Sequence, residues 1–195
     1  MEVTVSRALS DYEYMSFDDF EEALGDKPRN ERWELIGGRV VKLMVGARWE
    51  HARIVANLAF ALESAFRASG SRCQAFTETF YMKEKALDAQ LLPDVMVVCD
   101  LDPGATGTNQ AVVLVEVLSG GTEARDRFDK WHVYQKLPSL MHYVLVARDK
   151  AHVEVFNRVD GAWSGMQVLD GLDASLSLLA IGVEVPLAAI YRRVL

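Results

Sequence analysis

Residues 111–121 read AVVLVEVLSGG and place an acidic residue, Glu116, inside an apolar run. Seven of the eight residues from Ala111 to Leu118 are apolar, which is typical of a strand buried on both faces in a parallel or mixed sheet covered by helices. A buried carboxylate without a partner either loses its charge or destabilises the protein. We therefore expect the fold to bring a partner to Glu116.

The composition is that of an ordinary globular protein. The chain has 195 residues, of which 50% are hydrophobic and 25% are charged, and we expect one domain over residues 1–195. It contains no apolar run of the roughly 20 residues that span a bilayer, so no membrane association is predicted. The N-terminus is acidic and lacks the basic start and apolar stretch of a signal peptide. A cytoplasmic location is the resulting expectation.

The net charge of −7 argues against a protein that coats nucleic acid nonspecifically, because such binding depends on Lys and Arg. It does not exclude an enzyme that acts on nucleic acid. Acidic residues gathered around a metal ion add negative charge that the bound cation offsets.

Cys73 and Cys99 have neither CxxC nor Cys/His ligand spacing, and each lies in a strand-like segment. We interpret both as buried thiols rather than as disulfide or zinc ligands.

The order of predicted elements is helix, hairpin, helix, three strands, helix and further strands. The three strands are CQAFTETFYMK, LLPDVMVVCD and AVVLVEVL, AWSGMQVLDG is a later strand, and a short element begins at Leu187. Ser16 is the expected N-cap of the first helix, Gly37-Gly38 the hairpin turn, and Gly70 the end of a long helix that begins near Trp49. After Leu118, a glycine turn leads to a helix with Thr122 as its expected N-cap. This order predicts an α/β (α+β) fold, with a central mixed sheet flanked by helices and an N-terminal helix and hairpin.

Two further acidic residues lie where strands begin or pair. Asp94 follows Pro93 at the mouth of the apolar strand in LLPDVMVVCD, and Glu34 lies on the first strand of the hairpin. Neighbouring strands can bring such carboxylates to one point. Oxygen-rich clusters of this kind suit Mg²⁺ or Mn²⁺, which also bind water and phosphate oxygens.

The helix that follows Glu116 supplies a basic residue. Asp126, Lys130 and Tyr134 are spaced four apart and lie along one helical face. Because this helix begins soon after Glu116, that face can fold back over the end of the strand. Lys130 is therefore the nearest candidate cation for the acidic cluster.

These residues resemble the Uma-type family of predicted restriction endonucleases within the PD-(D/E)XK nuclease superfamily. The matching stretches occur in order from about Tyr14 to the C-terminus: WELIGGRV (residues 33–40), Glu50-His51, Pro93-Asp94, VEVLS (residues 115–119), and Asp126, Lys130 and Tyr134. The superfamily pattern places a lysine two residues after the strand acid, where this chain has Leu118. In the Uma-type group the following helix supplies the lysine, and Lys130 fits that substitution.

The resemblance implies a restriction-endonuclease-like core. It also implies a metal-dependent endonuclease that hydrolyses phosphodiester bonds, with DNA as the expected substrate. A homodimer is the assembly that the resemblance suggests. Asp94, Glu116 and the Val117 carbonyl would bind one divalent ion, Mg²⁺ or alternatively Mn²⁺. Lys130 would orient or help deprotonate the attacking water, or neutralise the phosphate. The expected supporting residues are Glu34, His51, Asp126 and Tyr134.

Each site residue also has a structural interpretation that involves no chemistry. These interpretations are a Glu116–Lys130 pair, Asp94 as a strand-start cap, Glu34 paired across the hairpin with Arg39 or Lys42, a solvated Asp126–Lys130 couple, and His51 as a helix-start histidine. Trp33, Trp49 and Trp131 are interpreted as core or rim aromatics rather than as base-stacking platforms.

Two other functions are compatible with the sequence. The first is a catalytically inactive nuclease-like fold that serves as an interaction or assembly module, which Leu118 and the acidic charge favour. The second is an enzyme that handles phosphate on small molecules. Convergence of Asp94, Glu116 and Lys130 is what the nuclease hypothesis requires.

Overall fold

The structure, a computed structural model, describes residues 14–44, 46–118 and 125–195. Its helices are α1 (Phe17–Ala23), α2 (Trp49–Ser69), a π-helical turn (Arg125–Lys130) that continues into α3 (Trp131–Tyr134), and α4 (Leu187–Ile190). Its strands are β1 (Glu31–Ile36), β2 (Arg39–Met44), β3 (Gln74–Thr77), β4 (Tyr81–Glu84), β5 (Ala89–Leu91), β6 (Val95–Val98), β7 (Gly107–Thr108), β8 (Ala111–Leu118), β9 (His142–Ala147), β10 (His152–Val159), β11 (Ala162–Trp163), β12 (Gln167–Asp170), β13 (Ser175–Leu178) and β14 (Val183–Pro186).

The strands form two sheets and a hairpin. The larger sheet has the order β11-β10-β9-β8-β6-β3, with β12 also paired to β10. It is mixed, because β8 pairs antiparallel with β6 and parallel with β9. The smaller sheet has the order β2-β1-β5-β4-β7, and β13 pairs with β14. The predicted central mixed sheet is thus confirmed.

Strand β8 lies at the centre of the molecule and is covered on both faces. Val113, Val115 and Val117 join the core beneath α2, together with α4 and the β13–β14 hairpin. Leu114 and Leu118 join a second core beneath α3 that also includes residues of the smaller sheet. Since alternate side chains point to opposite faces, Glu116 belongs to the face covered by α3.

The N-terminal helix and hairpin form as predicted. Ser16 caps α1 by accepting a hydrogen bond from the Asp19 amide at 3.2 Å. The β1–β2 turn uses Gly37 and Gly38 with φ of 59° and 82°, a conformation that β-carbons disfavour. Helix α2 ends at Gly70, whose φ of 67° closes its C-terminus.

Two segments predicted as single strands are each divided between the two sheets. CQAFTETFYMK forms β3 in the larger sheet and β4 in the smaller one, and Glu78 between them has a φ of 43°. LLPDVMVVCD likewise supplies the end of β5 and then β6. The chain crosses between the sheets at these two breaks, so that Glu78 and Asp94 both lie at the junction of the sheets.

The interpretation of the cysteines as buried thiols is wrong. Cys73 and Cys99 are half-buried and form a disulfide. The physical reason is strand register. Gln74 pairs with Val98 in the antiparallel β3–β6 ladder, so the next residue outward on each strand is a cysteine.

The observed elements also differ from the predicted ones towards the C-terminus. AWSGMQVLDG, predicted as one strand, forms two short strands, β11 and β12, that both pair with β10. The β13–β14 hairpin was not predicted, whereas the short element beginning at Leu187 is present as α4. Ser119, Gly120, Gly121 and the predicted N-cap Thr122 lie outside the described residues. Within the described part of the chain, no helix is both long and apolar enough to cross a membrane.

Candidate active site

The antiparallel pairing of β6 and β8 brings two acidic residues together. Val95 lies opposite Val115, Asp94 immediately precedes this pair and Glu116 immediately follows it. The Val117 amide donates a hydrogen bond of 2.7 Å to Oδ2 of Asp94, which ties the two strands at this point. Asp94 and Glu116 are only 5% and 1% exposed.

Glu116 receives hydrogen bonds from two residues on the helix that covers it. Lys130 Nζ lies 2.9 Å from Oε2 of Glu116, and the Tyr134 hydroxyl donates to Oε1 at 2.9 Å. Lys130 and Tyr134 are four residues apart on one helical face, so both point at the same carboxylate. The Glu116–Lys130 pair of the structural interpretation is therefore present, and it lies inside the candidate site.

Lys130 is buried among three carboxylates. Besides Glu116, its Nζ lies 3.4 Å from Oε1 of Glu34 and 3.4 Å from Oδ1 of Asp126. Asp126 and Lys130 are both buried, so they are not a solvated helical couple. The lysine is the common point of contact for acids from β1, β8 and its own helix.

Glu34 reaches this cluster from the smaller sheet. It is completely buried, and its Oε1 accepts a hydrogen bond of 2.9 Å from the Leu92 amide and lies 3.6 Å from Arg32 Nη2. Its other oxygen, Oε2, has no hydrogen-bond partner among the described residues. Arg39, expected as a cross-hairpin partner of Glu34, forms an ion pair with Asp129 instead.

A second group of three side chains lies beside Asp94. Nε2 of His51 is 3.4 Å from Oδ1 of Asp94 and 3.5 Å from Oε1 of Glu78. One ligand atom from each of these residues lies within 4.8 Å of the other two. An imidazole nitrogen and two carboxylate oxygens at this spacing are suited to holding a divalent metal ion.

Electrostatics set the protonation of the cluster around Lys130. Burial raises the pKa of Glu116 well above its ordinary value, and the charges of Asp126, Asp94 and Glu34 add to that effect against the opposing charge of Lys130. Burial lowers the pKa of Lys130, but the surrounding carboxylates outweigh burial and raise it. Lys130 thus stays charged, and four neighbouring acids make the site favourable for an added cation.

The pKa values of His51, Asp94 and Glu34 are shifted by the charged groups and hydrogen-bond donors beside them. Burial alone would lower the pKa of His51, but hydrogen bonds to Asp94 and Glu78 raise it to about 10. Burial opposes ionisation of Asp94 as well, yet His51, Lys130 and the Val117 amide hold its pKa below the ordinary value. For Glu34, Lys130 and Arg32 overcome burial in the same way and lower its pKa.

These groups meet at one cavity of about 1000 Å³. The predicted residues that line it are His51, Asp94, Glu116, Val117, Asp126 and Lys130. Glu34 and Tyr134 contribute through their contacts with Lys130 and Glu116. The three residues on which the nuclease hypothesis depends, Asp94, Glu116 and Lys130, therefore face the same space.

Sequence reasoning missed two residues of the site. Glu78 contacts His51, and Arg32 contacts Glu34 and also Glu78, at 3.5 Å. The signal for Glu78 was available in CQAFTETFYMK, where the polar Thr-Glu-Thr interrupts two apolar runs. Nothing in the sequence around Arg32 distinguishes it from a surface residue on a hairpin.

Comparison with known proteins identifies relatives of the chain. The sequence profile of the Uma2 family, described as "Putative restriction endonuclease", matches residues 17–188. Two uncharacterized proteins of Synechocystis sp. strain PCC 6803 are similar. The protein slr1290 is 35% identical over 107 residues, which are 51% of this chain and 53% of slr1290, and sll1609 is 26% identical over 84% of this chain and 89% of sll1609. The match to slr1290 thus spans about half of that relative.

The fold also has a counterpart among solved structures. A "putative nuclease belonging to DUF820" from Anabaena variabilis superposes with a TM-score of 0.74 over 93% of this chain and 99% of that one, at 16% sequence identity. At this identity the likeness concerns the fold, which is that of the restriction-endonuclease-like α+β proteins. Because the family profile covers most of the chain, the protein belongs to the Uma2 family, as the motifs from residue 33 to residue 134 predicted.

Proposed function

We propose that the protein is a metal-dependent endonuclease that hydrolyses phosphodiester bonds in nucleic acid, with DNA as the expected substrate. The observation that carries the proposal is the metal-ligand geometry of His51, Glu78 and Asp94, within 4.8 Å of one another beside the Glu116–Lys130 pair. Membership of the Uma2 family, described as "Putative restriction endonuclease", supports the same reaction class.

The donor set fits a divalent cation. Asp94 and Glu78 offer oxygens, and His51 offers a nitrogen once the bound cation displaces its proton. Mn²⁺ accepts this combination more readily than Mg²⁺, which strongly prefers oxygen. A bound divalent ion lowers the pKa of a coordinated water and neutralises charge on a phosphate. Glu116 and the Val117 carbonyl remain proposed ligands, with Glu116 acting directly or through a water.

Lys130 is proposed to act on the charge that develops at the phosphate. Its ammonium group lines the cavity and keeps its proton because three carboxylates surround it. A charged donor in a water-poor recess stabilises a phosphorane-like transition state more strongly than one in bulk water. Glu34, Asp126 and Tyr134 position Lys130 and Glu116 rather than contacting substrate themselves.

A second candidate function is a catalytically inactive fold that serves as an assembly module. It is favoured by the contacts of Lys130, which already has carboxylate partners on three elements, and by Leu118 at the position of the usual lysine. The two functions differ in whether substitutions at the site change chemistry or only stability.

Nicking of supercoiled plasmid with Mn²⁺ or Mg²⁺ tests the proposal. We expect cleavage by the wild type and a loss of at least about a hundredfold in Asp94→Asn and Glu116→Gln. Asp100→Asn is the matched control, because Asp100 is an exposed aspartate at the other end of β6. Undiminished cleavage in both site variants would refute the proposed site. Linear product in addition to nicked circles would support two sites acting together, as in a homodimer.

Metal titration by calorimetry separates the two candidate functions without a known substrate. The nuclease proposal requires wild-type protein to bind Mn²⁺, with weaker binding in Asp94→Asn. A wild type that binds neither metal at millimolar concentration would favour the assembly module.

A further inference from the structure

The cavity wall contains two arginines that form no hydrogen bond or ion pair with the acidic cluster. Arg125 and Arg148 both line it, and neither forms a hydrogen bond or an ion pair with another described residue. The Nε atom of Arg125 is buried without a partner among the described residues. A buried guanidinium donor without a partner is costly, and the planar guanidinium fork can donate two hydrogen bonds to two oxygens of one phosphate group.

Basic side chains outnumber acidic ones on the cavity wall, although the chain as a whole is acidic. Lys27, Arg29, Arg32 and Arg48 also line the cavity, so that positive groups surround the recess in which the acids lie. Seven basic side chains line the cavity against five acidic ones. The basic side chains favour an anionic ligand such as a phosphate backbone over a neutral one.

An exposed tryptophan is adjacent in the chain to residues that line this cleft. Trp49 is 61% exposed although it is the first residue of α2, between Arg48 and the residue pair Glu50-His51. Its neighbours Arg48, His51 and Ala52 line the cavity. Trp33 and Trp131, in contrast, pack against the cores. Exposed aromatic rings beside basic grooves stack on nucleic-acid bases.

The depth and size of the recess favour a single strand over a duplex. Asp94 and Glu116 are almost completely buried, so a phosphate must enter the cleft to meet them. A cavity of about 1000 Å³ is at the upper end of the roughly 300–1,000 Å³ typical of small-ligand pockets. A flexible strand can bend a few nucleotides into such a space, whereas a stiff duplex has to be opened first.

We infer that the cleft binds single-stranded nucleic acid, with phosphates on Arg125 and Arg148 and a base stacked on Trp49. This inference rests on the proposed function and specifies its substrate class. It also accounts for polyanion binding by a chain with a net charge of −7, because seven basic side chains line the cleft.

Fluorescence anisotropy in EDTA tests the inference without cleavage, using a labelled 20-nucleotide oligo(dT) and a 20-base-pair duplex as probes. We expect the single strand to bind at least about tenfold more tightly than the duplex. Trp49→Ala should weaken single-strand binding by roughly tenfold to a hundredfold, while Trp49→Phe, which keeps a stacking ring, should remain close to wild type. Phe60→Ala is the matched control, because Phe60 is 73% exposed on the same helix.

The arginines are tested by the salt dependence of binding. Arg125→Gln and Arg148→Gln should each reduce the slope of log K against log salt by about 0.7 for a single strand, whereas Arg67→Gln, on the exposed last turn of α2, should not. Equal binding of single strand and duplex, together with an unaffected Trp49→Ala, would overturn the inference and leave the endonuclease proposal intact. Absence of binding to either probe, together with absence of plasmid cleavage, would overturn both.

Discussion

The ammonium nitrogen of Lys130 lies 2.9 Å from Oε2 of Glu116, and the two side chains are 3% and 2% exposed. The lysine comes from the helix that follows the strand, 14 residues later in the chain. Leu118, on the same face of β8 as Glu116, packs instead in the core beneath α3. Lys130, from the helix, thus pairs with the strand residue Glu116, while Leu118, two residues after Glu116 on the strand, packs in the core.

Removal of the Lys130 charge should strongly destabilise the protein. Lys130→Met leaves Glu34, Glu116 and Asp126 buried without their common cation, and we expect a loss of about 3–5 kcal/mol in the free energy of unfolding. Urea denaturation measures it. Lys136→Met, at an exposed lysine on the same segment, should change stability by less than about 0.5 kcal/mol. Equal stability of Lys130→Met and wild type would show that the buried pair is not needed for folding.

Substitution of Glu116 and Lys130 together should lower the free energy of unfolding by less than the sum of the two single substitutions. Glu116→Gln with Lys130→Met leaves a buried amide in place of an unpaired carboxylate, so a double-mutant cycle should give a coupling of about 1–3 kcal/mol. Additive single effects would mean that the 2.9 Å contact contributes no pairwise stability.

Metal binding should depend on His51. Substitution of groups around a metal typically costs about tenfold to a hundredfold in affinity, and loss of a direct ligand should cost at least as much. We therefore expect His51→Ala to weaken Mn²⁺ binding at least about tenfold and to reduce any preference for Mn²⁺ over Mg²⁺, as measured by calorimetry. His132→Ala, at an exposed histidine, is the control. Unchanged Mn²⁺ affinity in His51→Ala would remove the imidazole from the ligand set.

Stability should depend on pH through Glu154, which lies away from the metal-ligand group. Arg127 forms a bidentate ion pair with this buried carboxylate, with Nη2 2.8 Å from Oε1. Hydrogen bonds from Arg127, together with His152, outweigh burial and hold the pKa of Glu154 below its ordinary value of 4.5. A lowered folded-state pKa stabilises the protein above the unfolded-state pKa, and this stabilisation is lost as the pH falls through the folded-state value.

Glu154→Gln should therefore be less stable than wild type at pH 7 by about 1–3 kcal/mol, and the difference should shrink as the pH falls below about 4.5. Denaturation at a series of pH values measures the difference. Glu184→Gln, at an exposed position on β14, should show no such trend. A stability difference between wild type and Glu154→Gln that stays constant from pH 7 to pH 3 would contradict a lowered pKa of Glu154 in the folded state.

Reduction of the Cys73–Cys99 disulfide should lower stability without affecting the site. The bond closes a loop with a sequence separation of 26 residues, for which loop-closure entropy gives about 3.5 kcal/mol. The bond lies at the end of β6 opposite Asp94. The midpoint temperature of thermal unfolding should therefore fall when reductant is added, whereas the affinity for Mn²⁺ should stay the same. Loss of metal binding on reduction would show that the β3–β6 ladder transmits strain to Asp94.

Local patterns in the sequence were sufficient to predict most elements. The caps of α1 and α2, the Gly37-Gly38 turn and the doubly buried strand β8 follow from short-range chemistry, because each depends on residues within one turn or one strand. The convergence of Asp94, Glu116 and Lys130 was predictable for the same reason. Their strands and helix are adjacent in the chain, and the helical spacing of Asp126, Lys130 and Tyr134 directs one face at the strand end.

The tertiary structure decided what depends on register and on contacts between distant segments. The sequence does not specify that β3 stops at Thr77 and that the chain then crosses to the smaller sheet, yet this crossing places Glu78 beside His51. Nor does it specify the pairing of Gln74 with Val98 that joins Cys73 to Cys99. Local propensity determined which residues form strands and helices. Strand register and the packing of the two sheets determined contacts such as those of His51 with Glu78 and of Cys73 with Cys99, because these contacts join residues that no local pattern relates.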